Sequence, residues 1–165
     1  DVDSDSIKLF NYFRNKDLNI NSAISSKIAE HKYYFFHNKS PLNTLDKSLA
    51  NLHSVKPKEV RSINTTTLNN VFENSRFFNS KIDFLCIDVE GHELDVIKGL
   101  NLNKYRPNVI VVEYLNKNLK KIEIKNLSLE NVLSSELYKY LINYNYELVN
   151  WLHSDLIFVD KSFKD

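Results

Sequence analysis

Three carboxylates fall within six consecutive positions, in the stretch Asp88-Val89-Glu90-Gly91-His92-Glu93. Acids packed this densely can take a proton from a hydroxyl, hold a cation or hydrogen-bond a polar cofactor. His92, set among them, could shuttle a proton at neutral pH. A simpler alternative is that Asp88 or Glu90 only caps a helix beginning near Gly91, worth ~1 kcal/mol. For an isolated Asp-x-Glu at a strand–helix junction, capping is the commoner role. Glu113 ends the next apolar run and is either a fourth member of the group or a solvated strand terminus.

The elements that must position these acids are written around them. Ile82–Asp88 is continuously apolar after Asp83, which predicts a strand buried on both faces of a parallel sheet. Cys86, inside that run, reads as a small core hydrophobe. Gly91–Leu100 follows as a helix with Leu94, Ile97 and Leu100 on one face and Gly99 near its end. Asn108–Tyr114 is a second buried strand, so strand, helix and strand make a right-handed βαβ crossover. Ligands of open α/β sheets bind outside the carboxyl ends of the strands, where Asp88, Glu90 and Glu113 would then gather.

Farther out, a helix from Ser4 to Asn15 is expected, capped by Asp3 or Ser4, then strands within Asn19–Ser26 and over Lys32–His37. Residues 38–58 hold Pro41 and Pro57 and read as irregular. A short strand at Val60–Asn64 leads, through Thr65–Thr67, to a helix carrying Leu68, Val71 and Phe72. Downstream, 115–127 reads as an exposed connection and Leu129–Asn143 as one helix. Strands Tyr146–Leu152 and Leu156–Asp160 close the chain as an antiparallel hairpin around His153-Ser154-Asp155.

The totals set bounds on function. The 165 residues make a single domain, 1–165, with 42% apolar and 26% charged residues, ordinary for a globular protein. A net charge of +1 argues against bulk nucleic acid or an anionic membrane surface as partner. No window reaches the ~18 apolar residues of a membrane span. A lone cysteine excludes an internal disulfide framework and fits a reducing, cytoplasmic setting. His31, His37, His53 and His153 show no metal-ligand spacing, and no metal is expected. A carboxylate-bound cation would need Asp88, Glu90 and Glu113 around one point. Trp151, Tyr144 and Tyr146 read as core. With only Gly91 and Gly99 as glycines, no GxGxxG or GxxxxGK[ST] phosphate loop exists in these residues.

IDFLCIDVEGHELDVIKGL followed by RPNVIVVEYL resembles the hallmark region of the FkbM family of S-adenosylmethionine-dependent methyltransferases. Cys86 stands where that family usually has Lys, and His92 where a small residue is common. TTTLNNVF, NINSAISSKIAEHKYYFF and DVDSDSIKLF are similar to the family's preceding segments, in the right order. The resemblance implies an α/β fold with a Rossmann-like class I methyltransferase sheet of order 3-2-1-4-5-7-6, closed by the C-terminal antiparallel hairpin. Its glycine-rich first strand and loop have no counterpart here. The sheet is therefore expected to lack its first two strands, as in a fragment or truncated relative. Asp1 matches the acid that holds the cofactor ribose; Asp88 and Glu90 match the acids beside the methyl-transfer cleft, with His92 behind them. The implied reaction is transfer from S-adenosylmethionine to a hydroxyl of a sugar, glycan or natural-product acceptor. The alternative is an inactive methyltransferase-fold module kept for binding or assembly. Oligomeric state is not legible in these residues.

Overall fold

Asp3, with a side chain that accepts the Asp5 amide, starts the first helix, α1 (Ser4–Phe13), in the computed structural model. The structure describes residues 1–115 and 128–164. None of the α1 residues is buried, although Phe10 and Phe13 recur at helical spacing. Three strands follow: β1 (Ala23–Ile24), β2 (Ala29–Phe35) and, after an intervening helix, β3 (Glu59–Thr66). They form a sheet of order β1-β3-β2, with β1 parallel and β2 antiparallel to β3. The intervening helix, α2 (Lys47–Leu52), corrects the expectation that residues 38–58 are irregular. Asp46 caps it by accepting the Leu49 amide, and Leu49 and Ala50 are buried. Thr67 caps α3 (Leu68–Glu73) in the same way, through the Asn70 amide.

The second sheet carries the acidic cluster. Phe84–Ile87 forms β4, Glu93–Lys98 forms α4 and Val109–Glu113 forms β5. β4 and β5 pair in parallel, with Cys86 opposite Val111 and Ile87 opposite Val112, so the expected strand–helix–strand unit is present. The expected single helix at Leu129–Asn143 is two, α5 (Leu129–Ser134) and α6 (Glu136–Asn143). Ser135 breaks the run: its hydroxyl donates to the Val132 carbonyl while accepting the Tyr138 amide as the cap of α6. β6 (Tyr146–Leu152) and β7 (Asp155–Asp160) pair antiparallel as the hairpin requires, and α7 (Lys161–Lys164) follows. The order is β4-β5-β7-β6. The connection expected at 115–127 lies, from residue 116 onward, outside the described residues.

One face of this sheet forms the main core. Ile110, Val112, Leu156 and Phe158 meet Val96 and Ile97 of α4, Val132 of α5 and Leu137 and Leu141 of α6. Each such side chain contributes about 1.5–3 kcal/mol of burial. Arg106 ties the base of the sheet together, donating to both carboxylate oxygens of Asp160 (2.6 and 2.8 Å) and to the Tyr144 carbonyl. Tyr146, fully buried, donates its hydroxyl to the Pro107 carbonyl.

The opposite face overturns two expectations. Among the described residues β4 is an edge strand, and it is not buried on both faces: Phe84 is 59% exposed and Cys86 is exposed, against 3% for Ile87. An unbroken apolar run shows that both faces suit apolar surroundings. It does not show that both are covered.

Candidate active site

Strand register alone brings three acids into line. Ile87 pairs with Val112, so Asp88 comes next beside Glu113, and Glu113 itself pairs with Asp155 of β7. Asp88, Glu113 and Asp155 thus occupy one row across three adjacent strands, at the carboxyl end of the parallel pair. Carboxylate oxygens of Asp88, Glu90 and Glu113 lie within 4.8 Å of one another. Asp88 is exposed, while Glu90 and Glu113 are half-buried.

Glu90 reaches this group through a strained turn. Its φ of 55° and the 90° of Gly91 place two consecutive residues in the left-handed region, which costs a non-glycine residue roughly 1–2 kcal/mol. Two partners hold the turn. The Glu93 side chain, 5% exposed, accepts the Gly91 amide at 2.7 Å. Thr44, 1% exposed, donates its hydroxyl to the Glu90 carbonyl at 2.6 Å. Neither Asp88 nor Glu90 is the cap of α4. His92 occupies that position and makes no side-chain capping bond.

The electrostatics follow from crowding. Desolvation first, then the charges of Asp88 and Glu93, push the Glu90 carboxyl up to about 7. Glu113 is pushed up to about 8 by desolvation, then by Glu90, Asp88, Glu93 and Asp155, and its Oε2 is buried without a hydrogen-bond partner. Asp88 is raised by desolvation and by Asp155. Such a group can exchange protons near neutrality, or its three oxygens could share one divalent cation.

His92 lies behind the turn. Its Nε2 shares a 2.9 Å hydrogen bond with Ser25 Oγ, its Nδ1 is 3.7 Å from Asp95 Oδ2, and the His31 ring meets it edge-on at 5.8 Å. Both ring nitrogens therefore face protein groups, and the ring joins the end of β1 to the start of α4. Asp1 belongs to the approach to β1: its Oδ1 accepts the Asp3 amide and its carbonyl accepts the Ser22 amide. A cavity of about 460 Å3 opens beside the carboxylates, between Gly91, Glu113, Tyr114 and the α5–α6 junction.

Thr44, Asp155 and the inward turn of Glu93 had no signal as site-builders in the sequence. Asp155 was visible only as part of a turn, and only the pairing of β5 with β7 sets it beside Glu113. No curated protein and no solved structure matches the chain significantly. A family model does, over residues 5–148, from α1 into the start of β6 and including Asp88, Glu90 and Glu113 but not Asp155, and by that match the chain belongs to the methyltransferase FkbM domain family.

Proposed function

We propose that the chain is an S-adenosylmethionine-dependent O-methyltransferase acting on a hydroxyl of a sugar, glycan or natural-product acceptor. The observation that carries the proposal is the Asp88–Glu90–Glu113 group, held within 4.8 Å at the strand ends with two of its carboxyls raised to about 7 and 8. A base with a pKa near the working pH has both the right protonation state and the driving force for proton transfer.

The family's fold supplies the larger frame: a Rossmann-like sheet in which β4, β5, β7 and β6 correspond to strands 4, 5, 7 and 6. The cofactor, when bound, supplies an electrophilic methyl group. The residues present fit it only in part. Asp1 would hold the ribose diol, although its Oδ1 is already engaged by the Asp3 amide. The described residues include no glycine-rich loop.

The chain's own residues serve the acceptor. Glu90, with Asp88 and Glu113 beside it, receives the hydroxyl proton as the oxygen attacks. The left-handed turn, braced by Thr44 and Glu93, fixes where that carboxylate stands. His92 acts from behind, keeping the turn against β1 through Ser25.

Two measurements test this. Isothermal titration should give S-adenosylmethionine a dissociation constant weaker than micromolar for residues 1–165, because these residues hold only two glycines and no glycine-rich loop; micromolar binding would overturn that account. At millimolar radiolabelled cofactor, methyl transfer to a polyol mixture should fall about 100- to 10,000-fold in Glu90→Gln. No transfer even by the unmodified chain at saturating cofactor would favour a methyltransferase-fold binding or assembly module instead.

A further inference from the structure

Thr44 stands 46 residues before Glu90, yet its hydroxyl donates to the Glu90 carbonyl at 2.6 Å. That carbonyl belongs to the same peptide group as the Gly91 amide, which Glu93 accepts at 2.7 Å. The peptide is thus held at both ends, and the two holds differ in kind. Glu93 follows Gly91 by two residues and moves with the turn, so it shapes the turn without fixing its place. Thr44 is anchored elsewhere. Its amide and carbonyl bond those of Tyr34 in β2, at 3.3 and 2.8 Å. Its side-chain oxygen accepts the Asp46 amide at 2.8 Å, just ahead of α2, which leaves the hydroxyl proton directed at Glu90. Thr44 is 1% exposed, so water has little room to replace it. Without this bond the left-handed turn would also carry an unpaired carbonyl, two costs of similar size that relaxing would relieve together.

We propose that Thr44 is a positioning residue: its hydroxyl holds Glu90 beside Asp88 and Glu113, and so couples the smaller sheet and α2 to the acidic group. That Glu90 is the base rests on the methyltransferase reading; where Glu90 stands can be measured without it. Burial and the charges of Asp88 and Glu93 put the Glu90 carboxyl at about 7, and a carboxyl released from the group returns toward 4.5. NMR titration of isotope-labelled glutamate carboxyls follows this, the Glu90 signal being the one that Glu90→Gln removes. Thr44→Val, equal in shape but without the hydroxyl, should lower the Glu90 midpoint by at least about 1 pH unit, and Thr44→Ser should keep it in place. Asp46→Ala removes the α2 cap and keeps the Thr44 hydroxyl, so it should lower the melting temperature without moving the midpoint. Should Thr44→Val fail to fold, Thr44→Cys, a weaker donor, should give a smaller fall in the same direction. A midpoint unmoved in the folded variant, a fall as large in Thr44→Ser, or an equal fall in Asp46→Ala would each overturn the proposal.

At pH 7 Thr44→Val should also cut kcat for methyl transfer about 10- to 100-fold with little change in KM, and Thr44→Ser should restore it. Transfer lost in Glu90→Gln while Thr44→Val leaves the titration untouched defeats the positioning role and keeps the methyltransferase. A fallen midpoint with no transfer by the unmodified chain at saturating cofactor does the reverse.

Discussion

Glu113 is where assembling the site costs the fold most. Its carboxyl sits at about 8 against an ordinary 4.5, first through desolvation and then through four neighbouring acids. Between those two values the folded chain holds a proton that the unfolded chain has released. Stability must therefore fall as pH rises through that window, and recover as pH is lowered. The chain should melt at a higher temperature at pH 5.5 than at pH 8.5 on this account. Glu113→Gln should flatten the dependence and raise the melting temperature at pH 8.5 by at least about 2–4 °C, equivalent to ~1 kcal/mol for a chain of this size. Thermal melts followed by circular dichroism decide it; a variant no more stable than the parent at pH 8.5 would mean the carboxyl is not crowded. Asp88, Glu90 and Glu113 were legible as a group because each sits at or just after the end of an apolar strand. Asp155 and Thr44 were not. They arrive through sheet pairing and through a loop 46 residues from Glu90, neither of which leaves a local pattern.

At the scale of elements, the position of α4 depends on a glycine at its end. Gly99 is its C-cap with φ of −76°, so handedness does not require glycine there. Proximity does: a Cβ would collide with the Ser25 carbonyl oxygen and crowd the Val96 carbonyl at 3.2 Å. The same Ser25, just after β1, bonds His92 through its side chain, so one residue lies against both ends of this short helix. Gly99→Ala should force the two apart and destabilise the chain by about 1–3 kcal/mol, read as a lower urea midpoint with unchanged slope. An unchanged midpoint would show that β1 and α4 do not pack as closely as this. The strand–helix–strand unit was readable from hydrophobic period alone. α2 was hidden because its six residues, between Pro41 and Pro57, are too few to show a helical apolar period, and only the Asp46 cap marks them. The break at Ser135 was hidden because the apolar spacing of Leu133, Leu137 and Leu141 continues across it.

At the scale of the molecule, the two faces of the larger sheet differ. One is covered by α4, α5 and α6. On the other, Phe84, Cys86, Val109, Val111, Ile157 and Val159 are exposed or only partly buried, beside a β4 edge unpaired among the described residues. Sequence could not distinguish these faces, because apolar residues occupy both and only coverage separates them. Cys86 reports on the difference directly. Its thiol is exposed yet pushed above its usual range by desolvation and by the charges of Asp155 and Asp88. A neutral thiol reagent should therefore modify Cys86 completely in the folded chain, more slowly at pH 8 than a free cysteine, with the rate climbing as pH passes 9. Modification should leave the melting temperature nearly unchanged, because the thiol supports no core contact. Resistance to the reagent until denaturant is added would mean that this face is covered in solution. If Phe84→Ser then restored reactivity, the covering surface would be one that packs against Phe84 on the open face of β4.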